Sequence, residues 1–251
     1  MRYLLTSLLC VFTLSLTAQV DCLGPDFNND SIIGAADIIV FLTYYGNEWP
    51  LAPEFVCGET IAHQDYNYST VEIGDQCWFS ENCRYLPEVS PSSDGNTTSP
   101  YYYVYGYEGT DVAAAKATEN YETYGVLYNW PAVMTAGICP SGWHIPSDGE
   151  FTELTDYLGG EGVAGGKMKE AGYDHWNTPN TGATNSSGWT GLPGGYRYSG
   201  GFSHNGINGY WWSASESGSY SWKRVLGIYI DSVGRGDYVR YIGYSARCVR
   251  D

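Results

Sequence analysis

Six cysteines behind an export leader constrain this chain more than any other feature. Residues 1–18 carry an early arginine, an unbroken apolar run and the small residue Ala18, a pattern typical of a secretory signal peptide. We therefore expect the mature protein to begin near Gln19 and to be secreted or held at the cell surface. Apart from Cys10 in the leader, the cysteines form an even set in an oxidising compartment, which predicts three disulfides. These cysteines are Cys22, Cys57, Cys77, Cys83, Cys139 and Cys248.

The pairing of these cysteines stays open at the level of sequence, because six cysteines permit many connectivities. A zinc site is the competing interpretation, but the chain has no C-x-x-C pair and no nearby histidine to support it. Proximity along the chain favours the pairs Cys22–Cys57 and Cys77–Cys83, together with the distant pair Cys139–Cys248.

Charge and composition narrow the class of partner. The formal net charge is -16 with only 12 basic residues, so nucleic acids and anionic membranes would be repelled. No segment after the leader approaches the roughly 20 apolar residues that a membrane-spanning helix needs. The 24 tyrosines, nine tryptophans and 32 glycines suit contact with carbohydrate or protein as well as an irregular β core.

A twelve-residue segment near the start, DFNNDSIIGAAD at 26–37, has the spacing of a calcium loop. Oxygen ligands fall at positions 1, 3, 5, 7 and 12, and Gly34 at position 9 leaves room for a water. Serine replaces the usual glycine at position 6, and position 12 is aspartate rather than the longer glutamate. The sequence predicts calcium as the cofactor, bound by Asp26, Asn28, Asp30, the carbonyl of Ile32, and Asp37.

The helix predicted after this loop ends at Gly46, and the Leu23-Gly24-Pro25 segment precludes a helix entering the loop. A calcium loop with an exiting helix alone resembles the repeat of dockerins, which dock secreted enzymes onto cohesin scaffolds. Dockerins carry two such repeats and this chain carries one. Residues 19–60 are therefore predicted to be a dockerin-like calcium loop and helix, acting either as a calcium-stabilised spacer or as a docking module for a cohesin-like partner.

The remaining residues, 61–251, show no linker or fixed repeat and are predicted to form one α+β domain. A capping box at Ser147 and Glu150 starts a helix whose apolar face holds Phe151, Leu154, Tyr157 and Leu158. Residues 160–209 are rich in Gly, Asn and Ser and predict long loops, a flexible connection at 160–165 and a short helix at 166–171. GYWWSASES, WKRVLGIYIDSV and DYVRYIGYSARCVRD predict late strands, separated by turns that include Gly-Arg-Gly-Asp at 234–237.

A family resemblance rests on an ordered set of motifs. In chain order they are YNYSTVEIGDQCWFSENCRY, YGVLYNWPAVM, GICPSGWHIPSDGEFTEL, LPGGYR, GYWWSASES and GYSARCVRD. Together, across residues 66–251, they resemble the Fibrobacter succinogenes major paralogous domain of secreted bacterial proteins, which is similar in pattern to the C-type lectin-like fold. The resemblance implies few helices, short antiparallel strands, long loops and adjacent termini. It also implies a disulfide between Cys139 and Cys248.

The sequence contains no convincing catalytic constellation. His144 lies one turn before the predicted helix and is expected to bind a buried carbonyl or carboxylate rather than a substrate. No G-x-S-x-G, H-E-x-x-H or phosphate-loop motif occurs, and the metal-bridged sugar motifs of C-type lectins are also missing. Aromatic stacking needs no metal, so ligand contact is predicted in the loop-rich region 172–222. The candidate rings are Trp176, Trp189, Tyr196, Tyr198, Trp211 and Trp212.

These observations predict a secreted, non-catalytic recognition or surface module that binds polysaccharide or another extracellular protein. The alternative is an enzyme acting on extracellular polysaccharide, or a scaffold-attached component docked through the calcium motif.

Overall fold

A computed structural model describes residues 35, 38–39, 55–198 and 200–250. The chain divides into two units, Met1–Phe55 and Val56–Asp251, and the second unit holds nearly all of the described residues. The predicted leader and Cys22 lie outside the described residues, as do the predicted calcium ligands Asp26, Asn28, Asp30, Ile32 and Asp37. Within the described ranges, no helix is long and apolar enough to cross a membrane.

The second unit is a mixed α and β structure with few helices and many short strands. The strands described in it are β1 (Ile61–His63), β2 (Tyr66–Tyr68), β3 (Thr70–Ile73), β4 (Gln76–Phe79), β5 (Tyr102–Tyr103), β6 (Leu127–Tyr128), β7 (Gly194–Tyr198), β8 (Gly201–Asn205), β9 (Asn208–Ser217), β10 (Tyr220–Gly227), β11 (Gly234–Val239) and β12 (Val249–Arg250). The helices are α1 (Val112–Lys116), α2 (Glu119–Tyr124), α3 (Trp130–Val133), α4 (Asp148–Tyr157) and α5 (Glu161–Met168).

The strands form a large sheet and three smaller ones. The large sheet has the order β11-β10-β9-β7-β8, and a three-stranded sheet has the order β12-β4-β3. The strands β1 and β2 pair with each other, as do β5 and β6. The pairings are antiparallel except between β7 and β9, which meet through one parallel bridge at Gly195 and Gly209. The mixed α+β class predicted from the sequence is therefore observed.

The two glycines of that bridge allow close approaches between neighbouring strands. Gly195 has a φ of +65°, and a Cβ atom there would collide with the backbone of Ser203 on β8. A Cβ at Gly209 would strike the carbonyl of Leu192 and the ring of Trp211. Glycine at position 209 lets β9 approach the chain just before β7, and glycine at position 195 lets β8 pack against β7, so the β7–β8 hairpin joins the rest of the sheet.

The main core lies between one face of the large sheet, the three-stranded sheet and helices α4 and α5. It includes the buried side chains of Trp78, Phe151, Leu154, Leu158, Met168, Trp176, Trp189, Trp211, Leu226 and Val249. Rings of Trp189 and Trp211 meet edge to face with centroids 4.8 Å apart. These aromatic contacts concentrate buried apolar area in a domain that has little helix to supply it.

Helix α4 begins where the sequence predicts. The Ser147 hydroxyl accepts a hydrogen bond from the Glu150 N–H, and the Glu150 carboxylate accepts one from the Ser147 N–H. Phe151 and Leu154 face the core as expected, but Tyr157 is 67% exposed. Its ring instead covers Gly74, where a Cβ would lie 3.1 Å from the Tyr157 ring.

Two other sequence predictions are corrected. The connection expected at 160–165 and the helix expected at 166–171 are replaced by α5, because Gly165 and Gly166 serve close packing rather than flexibility. A Cβ at either glycine would strike the backbone of Ser232 or Gly182. The expected Gly-Arg-Gly-Asp turn lies within β11, and the preceding turn spans residues 228–233.

The disulfide at Cys57 differs from the proximity-based prediction. Cys57 bonds Cys77, so the expected Cys22–Cys57 pair is wrong. The segment around Cys57 packs beside β3, where the N–H of Gly58 donates to the Thr70 hydroxyl over 2.9 Å. Because β3 pairs with β4, this placement brings Cys57 to Cys77 on β4.

Cys139 bonds Cys248, as proximity and the family resemblance both predict. Cys83 is a buried free thiol whose Sγ lies 3.5 Å from that of Cys248, so the expected Cys77–Cys83 pair is also wrong. Burial raises the pKa of the Cys83 thiol to about 12, despite the opposing effect of Arg247. This thiol is therefore protonated and enclosed at neutral pH, which makes it a poor nucleophile.

Candidate binding cleft

The four tryptophans predicted as ligand platforms are buried. Trp176 is 1% exposed, and Trp189, Trp211 and Trp212 are 0% exposed. The indole N–H of Trp176 donates to Gly191 O, and that of Trp212 donates to Tyr128 O, each over 2.9 Å. Rings that are enclosed in this way cannot stack on an external ligand, so these four residues are removed from the predicted binding surface.

Strand alternation explains why both tryptophans of β9 are hidden. Trp211 points to the core face of the large sheet. Trp212 points to the opposite face, but the ring of Tyr244 covers it at a centroid distance of 4.6 Å. The outer aromatic layer on that face is therefore made of tyrosines.

Those tyrosines line a cleft of about 390 Å³. They come from β7, β9, β11 and the segment that follows β11. Two of them, Tyr196 and Tyr198, belong to the ligand-contact set predicted from the sequence. The lining residues are Tyr196, Tyr198, Tyr210, Lys223, Asp237, Tyr238, Tyr241, Ile242 and Tyr244.

The rings are held against one another at fixed angles. Tyr210 and Tyr244 stack with centroids 5.0 Å apart and planes 13° apart. Tyr196 meets Tyr210 edge to face at 5.3 Å and 81°. The His204 ring also stacks on Tyr196, with centroids 5.2 Å apart. Mutual packing orders these rings before any ligand binds, which lowers the entropic cost of binding.

The hydroxyl groups of the six cleft tyrosines have no hydrogen-bond partner among the described residues. Buried tyrosines elsewhere differ: Tyr103 donates to Asp94 O over 2.7 Å, and Tyr128 to Tyr85 O over 2.9 Å. Burial raises the pKa of Tyr210 to about 12 and also raises the pKa of Tyr244, so both phenols are protonated donors at neutral pH.

Two charged residues border the cleft. Lys223, on β10, lines the cleft with its Nζ 5.7 Å from the centroid of the Tyr210 ring. Asp237 on β11 accepts a hydrogen bond from the Ser217 hydroxyl over 2.6 Å. Burial lowers the pKa of Lys223, and the opposing effect of Asp237 is smaller. The cleft thus combines apolar ring faces, free hydroxyls and one amine.

The sequence model of the Fibrobacter succinogenes major domain matches residues 71–250. The chain belongs to this family. The matched range contains all of the cleft residues. Searches of curated proteins and of solved structures gave no match.

In this Fibrobacter succinogenes major domain, His144 contacts a carboxylate as predicted, but the pair is partly exposed rather than buried. Its Nε2 lies 2.5 Å from the Glu150 carboxylate, the same side chain that completes the capping box. Burial raises the pKa of Glu150, but hydrogen bonds from Ser147 and His144 outweigh that effect and leave the pKa below its ordinary value. His144 does not line the cleft.

Within the described part of the major domain, no three His, Cys, Asp or Glu side chains cluster as metal ligands. The cleft residues that the sequence reasoning missed are Tyr210, Lys223, Asp237, Tyr238, Tyr241, Ile242 and Tyr244. A period-two signal marks part of this set, because Tyr210 alternates with Trp211 on β9 and therefore occupies the face opposite the core. The tyrosines beyond β11 carry no such signal.

Proposed function

We propose that this domain is a non-catalytic extracellular recognition module that binds polysaccharide in the tyrosine-lined cleft. The observation that carries the proposal is the set of six cleft tyrosines, four of them in mutual ring contact, whose hydroxyls have no partner in the described protein. A cleft of about 390 Å³ lies within the size range of ligand sites. Two disulfides support an extracellular location.

Sugars match this surface chemically. A pyranose presents an apolar C–H face, which packs on an aromatic ring, and a rim of hydroxyl groups that both donate and accept hydrogen bonds. A phenol can do both as well, so it pairs with a sugar hydroxyl in either direction. A peptide partner would also find aromatic surface here, and protein recognition is the second candidate.

We also infer that the domain has a C-type lectin-like fold, from the order of the sequence motifs. Support comes from the Cys139–Cys248 disulfide and from β12 and β3 both pairing with β4, which brings the two ends of the domain together. The alternative function, an enzyme acting on extracellular polysaccharide, predicts product release rather than retention.

The binding proposal is tested by retention on insoluble cellulose, xylan and chitin, with an assay for released reducing sugar in the same samples. Tyr198→Ala and Tyr238→Ala remove rings that are 43% and 49% exposed in the cleft. Each is expected to weaken binding about two- to tenfold, because a well-placed aromatic contact contributes roughly 0.5–1.5 kcal/mol. Tyr229→Ala is the matched control, since Tyr229 is 73% exposed outside the cleft.

Retention without sugar release, weakened by the cleft variants alone, supports the proposal. Release of reducing sugar favours the enzyme. Equal loss of binding in the Tyr229→Ala control, or no retention on any polymer, contradicts polysaccharide binding in the cleft.

We also propose that the loop at 26–37 binds calcium, on the strength of its ligand spacing. The ion would stabilise a spacer before the recognition domain, and docking to a cohesin-like partner is the further option. Calcium should raise the melting temperature of the full chain, and Asp30→Ala should abolish that rise. An identical response in the variant would contradict the site.

A further inference from the structure

Lys223 stands out within the cleft because its charge is not satisfied by the described protein. Its Nζ has no hydrogen bond and no ion pair among the described residues, and the Tyr210 ring is its one aromatic neighbour there. The adjacent Arg224 differs, since it points to the other face and binds Asp148 over 2.6 Å. Of these two consecutive cations, Arg224 therefore forms an ion pair within the domain, whereas Lys223 faces the cleft without one.

The space over Lys223 is kept open by a glycine. Gly236 on β11 lies directly opposite Lys223 in the strand register. A Cβ atom at Gly236 would lie 3.8 Å from Lys223 Nζ, with no other atom within 4 Å. A larger residue there would cover the amine, so the glycine leaves it accessible to a bound molecule.

The nearby Asp237 carboxylate attracts this amine electrostatically, but the two groups form no direct ion pair in the described structure. One oxygen of that carboxylate is occupied by the Ser217 hydroxyl. A half-buried ammonium group without a partner favours an incoming anion, because the site has already lost part of the water that would solvate the charge.

We propose that the ligand of this cleft is an acidic polysaccharide, whose carboxylate or sulfate group binds Lys223 while its sugar rings pack on the tyrosines. This inference rests on the proposed function. The chain has a formal net charge of -16, which repels polyanions at long range. Physiological salt screens charges beyond about 8 Å, so the local contact at Lys223 decides binding at the cleft.

Matched polymers that differ only in charge test this inference. Dissociation constants are measured by calorimetry for polygalacturonate against its methyl ester, and for dextran sulfate against dextran. The first pair tests carboxylate and the second tests sulfate. The wild-type protein is expected to bind at least one charged polymer about tenfold more tightly than its neutral counterpart.

The variant Lys223→Met keeps the aliphatic stem and removes the charge. It should weaken binding of the preferred acidic polymer by roughly ten- to a hundredfold and so reduce the ratio of the affinities for the acidic polymer and its neutral counterpart. Lys223→Arg keeps the charge and should retain most of the affinity. The melting temperature of each variant checks that the fold is intact.

Each outcome bears on one of the two claims. Equal binding of charged and neutral polymers with no effect of Lys223→Met would overturn the acidic ligand but leave polysaccharide binding standing. Charge preference that survives in Lys223→Met would place the anion elsewhere and overturn the role of Lys223. Absence of binding to every polymer tested would overturn both claims.

Discussion

Buried cations hold the irregular segments of this domain together. Lys169 donates to three backbone carbonyls, those of Thr181, Gly227 and Ile230, over 2.7–3.0 Å. Arg197 likewise donates to the carbonyls of Ser92, Asp94 and Tyr241, and its guanidinium lies over the Tyr103 ring. Loop carbonyls lack the partners that a helix or sheet would supply, so a buried cation satisfies several of them at once.

Arg247 provides the sharpest test of this role. It donates to the carbonyls of Trp189, Thr190 and Phe79, and its guanidinium lies 3.7 Å from the centroid of the Trp189 ring. Arg247→Met should lower the free energy of unfolding by about 3–5 kcal/mol, because it leaves buried carbonyls without donors. Urea denaturation measures the change.

The control for this prediction is Lys116→Met, which removes an exposed cation from α1 and should change stability by less than about 0.5 kcal/mol. A stability loss of similar size in both variants would mean that the carbonyl contacts of Arg247 contribute little.

The sequence could not have revealed these roles, because a cationic side chain predicts a solvent-exposed position unless its partners are known. The partners of Arg197 at Ser92 and Asp94 lie more than a hundred positions away along the chain. Trp211 and Trp212 were wrongly predicted to contact ligand for the same reason. Trp211 is buried in the core on one face of the sheet, and Trp212 is covered by Tyr244 on the other face.

Elements with local signals were predicted well, and elements that depend on distant contacts were not. The capping box of α4 involves residues three positions apart, so the sequence contains the whole interaction. By contrast, α5 has no side-chain cap and begins after Gly160. Its two buried glycines are explained only by the backbone of Ser232 and Gly182, which packs closely against them. Strand β11 holds a Gly-Arg-Gly-Asp segment that is typical of a turn but pairs fully with β10.

Removal of the α4 cap should have a measurable and local cost. Ser147→Ala eliminates the side-chain acceptor for the Glu150 N–H and should reduce the free energy of unfolding by about 1 kcal/mol. Glu153→Ala, at an exposed position of the same helix, should have little effect. Chemical denaturation of both variants makes the comparison, and equal stability of Ser147→Ala and the wild type would argue against the cap.

At the scale of the whole domain, the mixed α+β class and the Cys139–Cys248 link were predictable, but the strand order was not. Short strands rich in aromatic residues identify themselves by composition. Their pairing partners cannot be recognised in this way, since β12 pairs with β4 across most of the domain and β9 pairs with β7 as well as with its neighbour in sequence, β10. The position of the cleft follows from the strand order, so the sequence could not predict it either.

The dense tyrosine packing predicts a steep loss of stability in alkali. Burial raises the pKa values of Tyr68, Tyr103, Tyr128, Tyr210 and Tyr244, that of Tyr210 to about 12. Above about pH 10 the unfolded chain releases these phenolic protons and the folded chain retains them, so the free energy of unfolding falls as pH rises. Below about pH 10 this contribution is constant.

Each such tyrosine removes up to about 1.4 kcal/mol per pH unit, and together they match the whole stability of a typical domain within one or two units. Burial lowers the pKa of Lys169 to about 8. Between that pKa and the pKa of an unfolded lysine, Lys169 therefore makes the free energy of unfolding rise with pH, the opposite of the tyrosine effect. Tyrosinate absorbance and circular dichroism should therefore change together in one cooperative step above pH 10. Gradual phenol ionisation near pH 10 with the fold intact would refute this prediction.

The Cys139–Cys248 bond also determines how the domain carries mechanical load. Every residue of the cleft lies between these two cysteines in the chain. Tension applied at the two ends of the domain passes from Cys139 to Cys248 through the sulfur bridge and bypasses the intervening segment. If the domain is anchored at one end and pulled at the other by flow or by a neighbouring surface, the cleft tyrosines would keep their arrangement while strands outside the Cys139–Cys248 segment unfold.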